Sequence, residues 1–385
     1  MPFARSSFLV NSNISLMPQR KLKIKKNESS KENRELLYLE YLKTMNKKKE
    51  YETFKNKVYS YLISYKEDKI TKDCGCYKGE KHAEFLPENY WDEELPEMLF
   101  DGIRDVVAMM QNSNYRYKPH LFAYKHVASS QTACVNLFVP ILESPRVNEI
   151  LKSLDACPKD FKCVAKENIL FHGYQFEFWD GVDENSKGLL GDHSKQAGTD
   201  SDVAIAYYNT SNELCLWLIE HKLTEQEFTT CGAYRSSGNS AEGRANCQNC
   251  SISEILDVPT LCYYHRVSKY NYWNIMRDGA AEFYCGSYGG NGCPFRGGMN
   301  QLWRNQLLAM ALEKNGMYKH VSFSVVHHPL NIFLNDTMAA YLRLTNNSQK
   351  FNSFTSDKLV DAAAVDPELK DWIKWYREVY YGIKE

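Results

Sequence analysis

The clearest pattern along the chain is a pair of apolar runs joined by a polar turn. Val203–Tyr208 reads Val-Ala-Ile-Ala-Tyr-Tyr, Asn209–Asn212 is a cluster of turn formers, and Leu214–Leu223 reads Leu-Cys-Leu-Trp-Leu-Ile-Glu-His-Lys-Leu. Two strands with so short a connection predict an antiparallel hairpin. Side chains alternate along a strand. In the second run the even set (Leu214, Leu216, Leu218) and the odd set (Cys215, Trp217, Ile219) both start apolar, so this strand should be covered on both faces. A run rich in Lys, Glu, Leu and Tyr without Pro or Gly predicts a helix over Ser30–Lys69, and further helices are predicted over Asn89–Met110, His126–Leu142, Val147–Leu154, Gln301–Glu313 and Asp357–Ile383. Ser129 and Ser130 supply cap chemistry for the helix over His126–Leu142. Alternation predicts a first sheet strand over Asn168–Trp179 and a late strand over His320–His327.

The apolar run ends in charge. With Tyr208 opposite Leu214, the pairing places Asp202 opposite Glu220 and Asp200 opposite Lys222. Opposed residues share a face with Cβ atoms roughly 4.5–5.5 Å apart. Two carboxylates that close repel in a half-buried site unless a cation lies between them. Mg²⁺ or Mn²⁺ suits Asp202 and Glu220, since hard cations of this kind often take one or two carboxylates and leave room for water and phosphate. Asp200 rivals Asp202 as ligand. Lys222 would then support the attacking water or the charge developing on phosphorus. On the helix over Gln301–Glu313, Gln301, Arg304 and Asn305 share one face. Arg304 suits a phosphate and Gln301 a base or water.

Composition changes the picture in three places. The 385 residues carry a net charge of −1, with 43% hydrophobic and 25% charged residues, as in a globular domain with extensions. Charge is uneven: Arg20–Lys72 holds 16 Lys and Arg against 8 Asp and Glu, a basic helical segment suited to a phosphate backbone or simply to water. No apolar run approaches the ~18–20 residues of a membrane span, and Met1–Pro18 lacks a signal peptide's basic start, so the expectation is a cytoplasmic protein without a membrane partner. Twelve cysteines in a reducing compartment suggest metal ligands or buried thiols rather than disulfides. Cys231, Cys247, Cys250, Cys262, Cys285 and Cys293 cluster between the hairpin and the Gln301 helix. Cys247-Gln248-Asn249-Cys250 is a knuckle, and with Cys231 and Cys262 it would bind zinc or a [4Fe–4S] cluster, Cys285 and Cys293 being rivals.

Gly198–Asp202 followed by Ile219–Phe228, with Ser129-Ser130-Gln131 and Asn136-Leu137-Phe138 before and Gln301-Leu302-Trp303-Arg304-Asn305 after, resembles the PD-(D/E)XK nuclease superfamily. Within it, the neighbourhood resembles a bacterial family of putative restriction endonucleases over about 129–330. Ser201 stands where the superfamily's proline would be. The resemblance implies an α/β fold: a restriction-endonuclease-like αβββαβ core with a mixed central sheet flanked by helices, a cysteine-rich insertion at about 229–298 and a basic helical N-terminal segment. The boundaries would be 1–75 for that segment, 76–345 for the nuclease domain and 346–385 for a helical tail packed on it. It further implies Asp202, Glu220 and Lys222 as catalytic residues, DNA as substrate and hydrolysis of phosphodiester bonds. An upstream helical acid would help hold metal, with Glu149 and Glu167 both open. Cysteine-held clusters occur beside the core in some relatives, and cutting two strands would favour a homodimer. A rival reading is the same fold without cleavage, as a nucleic-acid-binding or metal-stapled module.

Overall fold

The computed structural model describes residues 31–90, 95–112, 125–167, 170–181, 186–194, 197–279, 284, 286 and 288–383. Two compact units divide the chain, 1–53 and 54–385. Helix α1 (Lys31–Lys69) accounts for the described part of the first and continues into the second. The last turns of α1 bury Val58 and Leu62 in the second unit, and the Lys66 ammonium, also buried, donates to the Asp73 carbonyl at 2.7 Å.

The second unit is a mixed α/β structure built on a six-stranded sheet flanked by helices. Its strands are β1 (Phe161–Val164), β2 (Tyr174–Phe178), β3 (Ser201–Asn209), β4 (Leu214–Lys222), β5 (Val321–His327) and β6 (Phe351–Thr355). Both β1 and β2 pair antiparallel with β3; β3 pairs antiparallel with β4; β4–β5 and β5–β6 are parallel. The expected hairpin register is observed, with Tyr208 opposite Leu214 and Val203 opposite Ile219. As its two apolar faces require, β4 is wholly buried from Leu216 to Ile219.

A parallel neighbour demands a crossover. The chain leaves β4, forms the cysteine-rich insertion, and returns through helix α4 (Asn300–Asn315) to β5. Leu302, Trp303 and Leu307 of α4 share a core with Leu216 and Leu218 of β4. Upstream come helices α2 (Arg104–Asn112) and α3 (Ser130–Glu143). The Ser129 hydroxyl caps α3 by accepting from Thr132 N at 3.1 Å, and α3 packs on β3 and β4.

Three differences from the sequence reading have local causes. The long helix expected over Asn89–Met110 shrinks to α2, because Pro96 lies where a helix interior would need its N–H. The first strand is β1, not β2. Within the segment read as a tail, β6 pairs with β5, while the helices beyond it, including α5 (Lys370–Tyr376), match expectation.

Asn136 of α3 ties these parts together. Its Oδ1 accepts from Phe100 N at 2.9 Å, and its Nδ2 donates to Met98 O at 2.7 Å and Tyr380 OH at 2.9 Å. It is wholly buried, so these are structural bonds and not contacts with a ligand. Asn136→Ala should lower stability by about 2–3 kcal/mol, because it strands buried backbone groups. A shift in the urea midpoint measures this, and an unchanged midpoint would contradict it.

Candidate active site

The site begins with a buried charge. Glu220, at 1% exposure, lies on the α4 side of β4. Lys222 Nζ donates to its Oε1 at 2.6 Å, Gln301 Nε2 donates to the same oxygen at 2.6 Å, and Asn305 Nδ2 donates to Oε2 at 2.7 Å. One turn of α4 thus supplies two amide donors to one carboxylate, as the i and i+4 spacing of Gln301 and Asn305 allows.

One step beyond the last ladder pair, Asp202 faces Glu220 across the hairpin, and its Oδ2 accepts from His221 N at 2.6 Å. A third carboxylate joins from β2. The ladder pairs Phe176 with Val203 and Phe178 with Ser201, so Glu177 falls opposite Asp202. There the backbone of Glu177 adopts φ 48°, a left-handed conformation that a glutamate rarely takes and that marks a break in the strand. Such strain tends to sit where function holds it.

Crowding sets the electrostatics. Burial, then the charges of Glu220 and Glu177, push the Asp202 carboxyl well above its ordinary range, against the pull of Lys222. Burial, opposed by a hydrogen bond from Gln131, pushes Glu177 up to about 7, with Asp200 and Glu220 adding to the rise. Burial alone would lower the Lys222 ammonium, but Glu220, Glu225 and Asp202 outweigh it and hold the lysine charged. Glu225, just past β4, is pulled below its ordinary range despite burial, by Lys222 and by the Ser130 hydroxyl. The start of α3, Ser130-Gln131, therefore meets two of the acids.

The other candidates make their direct contacts with different partners. Asp200 pairs with His193, whose Nε2 lies 3.1 Å from Asp200 Oδ1, and the His193 ring stacks on Trp179 at 3.9 Å. Arg304 turns away from Glu220: its Nη1 donates to Gly198 O at 3.3 Å, and burial of its charge is offset by Tyr272 and Asp192. Glu149 pairs with Arg146 at 2.6 Å at the protein surface, and Glu167 is exposed. Neither joins the acids; Glu177 does. Its sequence signal was a lone charge in the alternating run Tyr-Gln-Phe-Glu-Phe, visible once that strand is set against Asp202.

Among the described residues no three acidic, histidine or cysteine side chains are gathered as a ready cage for one ion. Opposed carboxylates in so buried a place still fit a divalent cation that keeps water and phosphate in its shell. Among the cysteines, Cys231, Cys247, Cys262 and Cys293 line one small cavity, Cys250 does not, and Cys285 lies outside the described residues.

No curated protein and no solved structure matches the chain. A family model does match it, over residues 26–381. The chain therefore belongs to the family described as restriction endonuclease associating with ARP.

Proposed function

We propose that the protein is a Mg²⁺- or Mn²⁺-dependent DNA endonuclease of the PD-(D/E)XK type. The observation that carries this is the Glu220–Lys222 pair, held at 2.6 Å beside Asp202 on the neighbouring strand. Once β1 and the short helix before it are set aside, α3, β2, β3, β4, α4 and β5 come in the order of the αβββαβ core, which supports it. Family membership points to a nuclease, and DNA as substrate follows from that reading.

Asp202 and Glu220 would hold the cation, with Glu177 beside them. When bound, a divalent ion polarises the phosphate and makes its water a better nucleophile. The protein's own groups do the rest. Lys222 keeps its proton on Nζ and donates from beside Glu220, placing positive charge where the phosphate's negative charge grows. Gln301 and Asn305 fix the rotamer of Glu220. Arg304 anchors the Gly198 loop that leads into β3, a positioning role rather than a phosphate contact.

Cleavage of linear and circular DNA with Mg²⁺ tests this directly. Lys222→Ala should lower the rate roughly 10²–10⁴-fold with the fold retained. Equal activity in variant and wild type would sink the assignment. Glu177→Gln should cost roughly 10- to 100-fold, read as weaker metal dependence; an unaltered metal titration would remove Glu177 from the site.

A pH dependence follows as well. In the fold Glu177 ionises near 7, against 4.5 ordinarily, so between those values the folded state keeps a proton that the unfolded chain releases. Its contribution is full at low pH and fades as pH rises through 7. Without divalent cation, thermal stability should fall from pH 5 to pH 8. Mg²⁺ should raise Tm by on the order of a few degrees at pH 8 and by less at pH 5. Melts with and without Mg²⁺ check this, and equal shifts at both pH values would count against it.

A further inference from the structure

We propose that Cys231, Cys247, Cys262 and Cys293 hold an iron–sulfur cluster. The four come from different parts of the insertion yet line one cavity of about 10 Å³. Backbone bonds fix their approach. Cys293 N donates to Cys247 O at 3.0 Å, Cys231 N donates to Arg296 O at 3.3 Å, and Arg296 Nη1 donates to Cys247 O at 3.0 Å.

Three of the thiols share one local design. Cys231, Cys262 and Cys293 each stand immediately before a short helical turn. The amides of Ala233 and Tyr234, of Tyr264 and His265, and of Phe295 face the respective sulfurs and favour the thiolate, without closing an ordinary cap hydrogen bond. Amide N–H groups aimed at cysteine sulfur are what a bound thiolate needs around it. The walls add two more donors. Trp273 and Trp303 line the cavity almost fully buried; the Trp273 indole N–H faces the Cys262 sulfur, and the Trp303 indole N–H has no hydrogen-bond partner among the described residues. Buried donors without acceptors are costly unless something fills the space they face.

As bare thiolates these groups would be ill at ease. Burial raises all four, and each of Cys231, Cys247 and Cys293 is raised further by its neighbours' charges; Cys247 is pushed up to about 12. A cation cluster reverses that, each thiol giving up its proton as its sulfur bonds iron.

The cavity's size selects the cofactor. A void that admits a sphere of ~1.4 Å radius keeps surrounding sulfurs farther from its centre than the ~2.3 Å of a Zn–S bond. Consistently, no three of these side chains are gathered about a single point. Four thiolates spread round a common centre suit a cluster in which the irons share the ligands. Cys250, half-exposed, lies off the cavity.

The test uses the full chain purified without oxygen, analysed for iron, acid-labile sulfide and zinc, with its visible spectrum before and after dithionite. Two or four irons per chain with matching sulfide, and a broad visible band bleached by reduction, are expected. Cys293→Ser should lose most of the iron and Cys250→Ser should keep it. Zinc without iron, or no metal, overturns the proposal, as does iron that survives Cys293→Ser. If Cys293→Ser fails to fold, the wild type's metal content and spectrum still decide. These readings need no DNA, so they stand or fall apart from the proposed cleavage.

Discussion

Everything near the site depends on keeping one carboxylate charged inside the protein. Glu220 is 1% exposed, and an unpaired ion at such depth costs several kcal/mol. Its three donors come from two elements: Lys222 from the same strand, Gln301 and Asn305 from α4. The pair therefore holds only when α4 lies across β4. That couples the strand to a helix nearly eighty positions later in the chain, and it makes the crossover that closes the parallel sheet also the step that completes the site. The amide oxygens left over, Gln301 Oε1 and Asn305 Oδ1, are buried and have no partner among the described residues, so the helix face keeps unspent acceptor capacity next to the acids.

Charge balance explains the rest of the local architecture. Asp202, Glu177 and Glu220 converge on a single ammonium, and the first two are driven above their ordinary range by burial and by one another. Glu225 takes the opposite course because it meets Lys222 and the Ser130 hydroxyl rather than further acids. Two carboxylates driven above their ordinary range, beside one that is tightly bonded, is a poor arrangement for stability alone. It becomes sensible if a cation is part of the working state, and the left-handed backbone at Glu177 then reads as the distortion that brings the third acid within range.

How much of this was legible depended on distance along the chain. The hairpin was readable because its turn fixes its register, and that register places Asp202 against Glu220. The helix carrying Gln301 was readable from its periodicity, but its aim was not. Gln301 and Asn305, four apart, reach the same carboxylate, whereas Arg304, sharing the nominal face, swings toward Gly198. Glu177 was hidden because its partner strand lies a long loop away and the strand breaks at that residue. β1 is four residues long, and β6 shows no clean alternation in Phe-Asn-Ser-Phe-Thr, so neither announced itself; parallel pairing with β5 supplies what β6 lacks locally. The cysteines show the limit most plainly. Adjacency suggested Cys250 as the partner of Cys247, but Cys247 faces inward from a helix whose end carries Cys250 outward, and its neighbour at the cavity is Cys293.

The insertion is not a bystander to the site. Trp303, two residues after Gln301 and two before Asn305, points into the cysteine cavity, stacks on Phe295 with ring centroids 4.3 Å apart and meets Trp273 at 5.1 Å. One face of α4 thus grips Glu220 while another is packed into the insertion. Interiors transmit such contacts because close-packed side chains have little room to adjust. A disturbance at the cysteine cavity must either be absorbed in the stack of Phe295, Trp273 and Trp303 or pass along one helical turn to the two amides that hold the buried glutamate. With amide–carboxylate contacts of 2.6 and 2.7 Å, a small displacement is enough to break them. The insertion and the contacts of Glu220 therefore share a single structural element rather than merely a chain.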